Sequence, residues 1–238
     1  MTKTIDYPQG SAGWLASRVG RITASRVVDV LNIRKDGKPG ADRLRYLSEV
    51  LCERLTGNAT DHFVSDYMRH GTEMEPLARV AYEMETGVDV DQVGNAIHPA
   101  FDFFSASPDG CIGSDGMVEI KCPATITHIN WLLAGEVPAE HQPQMFSGMA
   151  CWEREYCDFV SFDNRLPKPL QLFVKRLQWD DNRVEEIESA VVGFNDEVNA
   201  MIERLRALKG NFELPAILAA KVPELIGGLT DADFEGLL

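Results

Sequence analysis

The chain has 238 residues, which suits one α/β domain with an appendage, and its 45% hydrophobic content suits a sizeable core. No apolar run approaches the roughly 20 residues that span a bilayer, and residues 1–10 lack the apolar stretch of a secretory signal, so a membrane or secreted protein is not expected. The net charge is −14, against expectation for a nucleic-acid binder, and five cysteines without a C-x-x-C pair fit reduced thiols in a cytoplasmic protein.

In chain order, Thr23 or Ser25 is a candidate N-cap for a helix ending near Leu31. Ahead of it stand Arg18 and Arg21, a pattern either of a capped helix with surface arginines or of a phosphate site. Residues 33–40, IRKDGKPG, read as a basic loop, and Leu44, Leu47, Leu51 and Leu55 mark a helix over 42–55 that stops at Gly57. Thr72 caps a helix over 72–85, stopped by Gly87. Glu73 and Glu75 then fall in its first turn, where they complement the helix dipole, or Glu75 faces a metal site. The runs 88–97, 103–107 and 118–122 read as an antiparallel meander. Helices over 125–133 and 140–153, strands over 156–162 and 170–177, and a long amphipathic helix over 182–209 ending at Gly210 complete the ordered part. The tail 211–238, with Pro215, Pro223 and Gly227-Gly228, is expected to be irregular and to wrap the body or a neighbouring subunit. The expected architecture is a single α/β domain over 1–238 with its core over about 14–210. A central mixed sheet is flanked by helices, with a C-terminal helical extension.

Charge is distributed unevenly. Residues 14–46 hold eight basic and three acidic side chains, and residues 180–238 hold five basic and thirteen acidic ones. One face can then attract DNA while the acidic end is either a solvated helix face or a surface for a basic partner.

The chemistry concentrates at Ser107-Pro108-Asp109-Gly110 and, ten residues after Asp109, Glu119-Ile120-Lys121. The alternation over 117–122 reads as a strand, so Glu119 and Lys121 share a face. Two convergent carboxylates are the hard oxygen ligands that Mg²⁺ takes, and a lysine beside them can hold a water nucleophile. That combination serves metal-assisted hydrolysis of a phosphodiester. Each piece alone is also an ordinary turn or an ordinary solvated strand. Gln144, in the His141-Gln142-Pro143-Gln144 stretch, is a surface residue unless the fold brings it to Asp109 and Glu119. The five histidines have no metal-ligand spacing, and no nucleophile elbow is present.

Five collinear segments resemble the phage lambda-type exonuclease family, the YqaJ-like viral recombinases or alkaline exonucleases of the PD-(D/E)XK nuclease superfamily. They are WLASRVGRITAS at 14–25, HGTEMEP at 70–76, SASPDG at 105–110, VEIKCP at 118–123 and HQPQ at 141–144, covering about 14–152. The resemblance implies a restriction-endonuclease-like core. It implies that Asp109, Glu119 and the Ile120 carbonyl hold Mg²⁺, as two ions, with Mn²⁺ as a substitute. Lys121 would position the attacking water, Glu75 would be an accessory carboxylate, and Gln144 would support the water and metal geometry. Arg18, Ser25 and Ser107 would form a pocket for the 5′-phosphate of a DNA end, and Arg34, Lys35 and Lys38 would contact the duplex. The implied activity is processive 5′-to-3′ degradation of linear double-stranded DNA to 5′-mononucleotides, leaving a 3′ strand for recombination. The implied setting is a homotrimeric ring, encoded by a phage or prophage and acting in the host cytoplasm beside a single-strand annealing protein. The competing readings are an endonuclease of the same superfamily, a catalytically silent DNA-end scaffold, and an acidic protein-interaction module.

Overall fold

The computed structural model describes residues 3–60 and 66–217. Along the chain run β1 (Lys3–Ile5), α1 (Ala12–Arg18), β2 (Ile22–Thr23), α2 (Val27–Val30), α3 (Ala41–Thr56) and α4 (Asp66–Thr86). Four strands come next, β3 (Asn95–Ile97), β4 (Phe104–Ala106), β5 (Gly110–Ile112) and β6 (Gly116–Lys121). Then come α5 (Thr125–Ala134), α6 (Gln142–Trp152), β7 (Tyr156–Phe162), β8 (Leu172–Gln178) and α7 (Asp181–Lys209).

The strands form two mixed sheets flanked by helices, ordered β1-β3-β4-β2 and β5-β6-β7-β8. The expected single meander is therefore divided. The chain leaves the first sheet at Ala106 and enters the second at Gly110, so Ser107, Pro108 and Asp109 bridge the two sheets. In each sheet one pair is parallel, β2 with β4 and β6 with β7, and α5 and α6 make the crossover between β6 and β7. Gly110 serves close approach here rather than a turn: a Cβ there would lie 2.2 Å from Val90 Cγ1 and 3.1 Å from the Asp91 carbonyl oxygen.

β6 divides its residues by parity. Met117 faces a core shared with Met145, Met149, Phe159 and Phe194, while Val118 and Ile120 pack in a second cluster with Ala78 and Tyr82 of α4. Glu119 and Lys121 have the parity of Met117 and look toward α6. α6 is buried from Met145 to Trp152 and lies against β3, β4 and β7, joining the two sheets in one core. α7 packs along α2, α3 and α6 through Val184, Ile187, Val191, Phe194, Val198 and Ile202.

Several boundaries differ from those expected. α1 is an unanticipated helix, capped by Ser11, whose Oγ accepts the Trp14 N–H at 3.3 Å. Arg18 closes α1 instead of preceding a helix. Neither Thr23 nor Ser25 acts as a side-chain cap, and the segment after Thr23 is one 3₁₀ turn (Ala24–Arg26) leading into the four-residue α2. α4 starts at Asp66, so Glu73 and Glu75 lie inside it and not in its first turn, and Pro76 is internal. Of the expected tail, 211–217 is irregular after Gly210, and 218–238 lies outside the described residues.

The basic segment is largely consumed internally. Arg21 is 3% exposed and donates to the carbonyls of Asp102 and Ser17. Arg26 pairs with Asp29 and Glu49, Arg34 with Asp36, Arg43 with Glu197 and Arg45 with Asp42. Arg18, Lys35 and Lys38 make no ion pair among the described residues, so the free positive charge is smaller than the sequence count implies.

Candidate active site

Four parts of the chain bring interacting side chains to one region. α4 brings Glu75, the bridge between the sheets brings Asp109, β6 brings Glu119 and Lys121, and the first turn of α6 brings Gln144. Lys121 Nζ donates to Glu119 Oε1 at 2.5 Å, and Gln144 Nε2 donates to the same oxygen at 2.5 Å. Asp109 Oδ2 accepts the Ile120 N–H at 2.5 Å. In an extended strand the N–H and C=O of one residue face the same edge. The Ile120 carbonyl therefore faces the Asp109 side of β6.

Burial and mutual repulsion dominate the electrostatics. Glu119 is 1% exposed. Its burial pushes its carboxyl up to about 7, with Asp109 and Glu75 adding and Lys121 opposing. Glu75 is also raised to about 7, by burial first and then by Asp109, while Arg79 and Lys121 oppose. Asp109 is raised by burial, against Lys121, the Ile120 N–H and Arg79. Burial works against the Lys121 ammonium, yet Glu119, Asp109 and Glu75 outweigh it and raise its pKa, so Lys121 is a fixed positive charge.

This arrangement fits a divalent cation chemically. Each carboxylate has one oxygen engaged (Glu75 Oε1 by Arg79, Asp109 Oδ2 by Ile120, Glu119 Oε1 by Lys121 and Gln144) and keeps the other free of hydrogen bonds from described residues. Three crowded acids with raised pKa values are a charge excess that a hard cation relieves. Among the described residues no three His, Cys, Asp or Glu side chains already close on a single ion position.

A second group stands beside the first. Arg18 lies over the Trp14 ring, 4.3 Å from its centroid, and its Nη1 is 3.4 Å from Ser107 Oγ. Burial pulls the Arg18 guanidinium down to about 10, which leaves it charged at neutral pH. Ser107 is two residues from Asp109, so the chain itself ties this cationic group to the carboxylates. Ser25 is exposed, 3.5 Å from Thr23 Oγ1, and makes no hydrogen bond to Arg18 or Ser107 among the described residues. Arg34, Lys35 and Lys38 sit on an exposed hairpin closed by Ile33 and Pro39, and none makes a hydrogen bond or ion pair with the carboxylate cluster among the described residues.

Sequence reasoning missed three participants. Arg79 is buried and donates to Glu75 at 2.6 Å, and its i,i+4 spacing from Glu75 was the available signal. Trp14 lay inside a matched segment but carried no role. Asn95 is fully buried and accepts from Ser107 at 3.2 Å, a contact spanning 12 residues that no local pattern announces.

Comparison with known proteins gives the family and the fold. Residues 13–155 match the YqaJ-like viral recombinase domain family. The chain is 45% identical to an alkaline exonuclease, LHK-Exo, from Laribacter hongkongensis, at a TM-score of 0.75, covering 82% of this chain and 95% of that one. LHK-Exo in complex with dAMP matches at 44% identity and a TM-score of 0.76 over the same shares. A phage-related exonuclease from Haemophilus somnus 129PT shares the fold at 16% identity and a TM-score of 0.60, covering 78% of this chain and 96% of that one. No curated protein matches the chain.

Proposed function

The chain belongs to the YqaJ-like viral recombinase family and is a nuclease, and from that premise we propose that it is a Mg²⁺-dependent 5′-to-3′ exonuclease of linear double-stranded DNA. The observation that carries the reading is the convergence of Glu75, Asp109 and Glu119 around the charged Lys121, two residues along the chain from the Arg18–Ser107 group.

Asp109, Glu119 and the Ile120 carbonyl would hold the metal, with Glu75 as the accessory carboxylate. A bound cation of this kind supplies charge neutralisation at the scissile phosphate and a more acidic water. The protein's own groups do the rest. Lys121, held as an ammonium by the surrounding acids, donates a hydrogen bond to the attacking water and stabilises it as hydroxide. Its pKa is raised, so it acts through charge and not as a general base. Gln144 and Lys121 together fix the Glu119 carboxylate, so its remaining oxygen has one orientation. The water gives up a proton to solvent and its oxygen bonds to phosphorus as the bond to the 3′-oxygen breaks. The 3′-oxygen takes a proton from solvent, so a 5′-mononucleotide with a 3′-hydroxyl leaves and a new 5′-phosphate is exposed. Arg18 would receive that phosphate, which gives the reaction its direction and leaves a 3′ single strand for annealing.

Assembly into a homotrimeric ring belongs to the same proposal. Its support is two exposed apolar stripes at i, i+3, i+7 spacing, Leu77, Val80 and Met84 on α4 and Ile126, Ile129 and Leu133 on α5. Two unlike surfaces on one protomer suit the head-to-tail contact that closes a ring. A single-strand annealing protein is the partner that the 3′-strand product calls for.

The test is digestion of a linear duplex carrying a 5′-phosphate on one strand, beside a closed circle, with and without Mg²⁺. The reading expects loss of the phosphorylated strand from its 5′ end, only with metal, and an intact circle. Cutting of the circle would make the protein an endonuclease, and binding of ends without cutting would make it a scaffold.

A further inference from the structure

The Arg18 group contains a hydrogen-bond chain whose direction is fixed by atoms that can only donate or only accept. Ser17 Oγ donates to the Trp14 carbonyl at 2.7 Å, and that carbonyl only accepts. The hydroxyl proton of Ser17 is thereby committed. The Asn95 amide faces both the Ser17 carbonyl, at 3.3 Å, and Ser17 Oγ, at 3.1 Å. Both are acceptors toward it, so the amide must present its Nδ2 to Ser17. Its Oδ1 then points the other way, to Ser107 Oγ at 3.2 Å, and Ser107 must spend its single proton on that oxygen. What Ser107 turns outward is lone pairs. One accepts the Trp14 indole N–H at 2.9 Å, and the other faces Arg18 Nη1 at 3.4 Å.

Ser107 in this state has no proton to offer a phosphate. It is an acceptor that draws the Arg18 guanidinium, and Trp14 supports the same guanidinium from its ring face. Asn95 sets that polarity while remaining fully buried. It also joins the two parts of the pocket physically. It lies on β3, paired through its sheet with β4, which leads into Ser107, and its amide clasps α1, which carries Trp14 and Arg18.

We propose that Asn95 is a positioning residue for DNA-end recognition: by holding the Ser107 hydroxyl as an acceptor it aims Arg18 at the 5′-phosphate. The inference rests on the reading of Arg18 as the 5′-phosphate group.

The experiment measures degradation rates on otherwise identical duplexes with a 5′-phosphate or a 5′-hydroxyl, for the unaltered protein, Arg18→Ala, Asn95→Ala and Asn95→Asp. The readout is the ratio of the two rates, which a loss of general stability does not move. The ratio is expected to fall close to one in Arg18→Ala and at least about fivefold in both Asn95 variants. In Asn95→Asp the fall comes because an acid beside Ser17 cannot donate and its charge competes for Arg18. Where the buried substitutions prevent folding, Ser17→Ala carries the test, because it removes one of the two acceptors that orient the amide. Its ratio is expected to fall about twofold. Loss of the ratio in Arg18→Ala with an unchanged ratio in the Asn95 and Ser17 variants would overturn this inference alone. A ratio near one in the unaltered protein, or a full ratio in Arg18→Ala, would overturn the phosphate-pocket reading and this inference with it.

Discussion

Lys121→Met removes the one positive charge that, among the described residues, pairs with the Glu119 carboxylate, which is 1% exposed. The cost of that change depends on pH in a way the site dictates. Burial holds the Glu119 carboxyl up at about 7 even with Lys121 present. Folding therefore favours its protonated form, and this contribution is complete below the ordinary carboxylate range and lost as pH rises through about 7. Without Lys121 the folded-state pKa rises further. At pH 5 Glu119 is protonated in both proteins, and the substitution loses mainly packing and one hydrogen bond. At pH 8 the unaltered protein carries Glu119 ionised, while the variant must either bury an unpaired charge, at roughly 3–5 kcal/mol, or take up a proton. Proton uptake is the cheaper course. It sets the added penalty at about 1.4 kcal/mol per pH unit above 7 from Glu119 alone. For a domain of this size that is about 3–6 °C in Tm at pH 8 beyond the shift seen at pH 5. Thermal melts of both proteins in EDTA from pH 5 to 8 measure it. A difference in Tm that stays constant or shrinks as pH rises would refute the electrostatic account of the pair.

Because Glu75 and Glu119 are both held at about 7, protons compete with a cation below that pH. The half-saturating Mg²⁺ concentration, measured by cleavage and by metal-induced thermal shift, is expected to fall about tenfold or more from pH 6 to 7 and to level off above pH 8. A pH-independent value would remove these carboxylates from the metal site. Arg18→Ala is expected to slow degradation of 5′-phosphorylated ends about 10- to 100-fold, the worth of a charge-assisted contact. Equal losses on 5′-hydroxyl ends would count against a phosphate pocket. Leu133→Asp on α5 or Met84→Asp on α4, exposed by 81% and 82%, is expected to reduce an assembly to monomers in light scattering. An unchanged mass in both would place the assembly surface elsewhere.

The sequence made the β6 part of the site legible because strand parity is local. The alternation over 117–122 is enough to put Glu119 and Lys121 on one face, and the structure has them 2.5 Å apart. Gln144 could be named only conditionally, because its value depends on α6 being inserted against Glu119, a tertiary fact. The start of α4 was misplaced because Gly71 ahead of Thr72 reads as the boundary of a helix, while packing of α4 against β6, β7 and β8 keeps the segment helical through it. Arg79 is one turn from Glu75 in the expected helix as well as in α4, but an i,i+4 pair reads as an ordinary surface ion pair until burial of the pair beside Asp109 shows otherwise. The division into two sheets was not readable because Ser107-Pro108-Asp109 looks the same whether it turns within one sheet or bridges two. The basic segment misled for a related reason. Composition counts Arg21 and Arg43 as surface charge, whereas the fold buries the first and pairs the second with Glu197, 154 residues away.

The central claim is that the Asp109, Glu119 and Lys121 cluster hydrolyses DNA. The most direct measurement compares the unaltered protein with Asp109→Asn on a 5′-labelled linear duplex in Mg²⁺, with melting curves for both. The account predicts release of labelled mononucleotide by the unaltered protein, none in EDTA, and a loss of at least about a thousandfold in a variant that still folds. Comparable release by folded Asp109→Asn would contradict it.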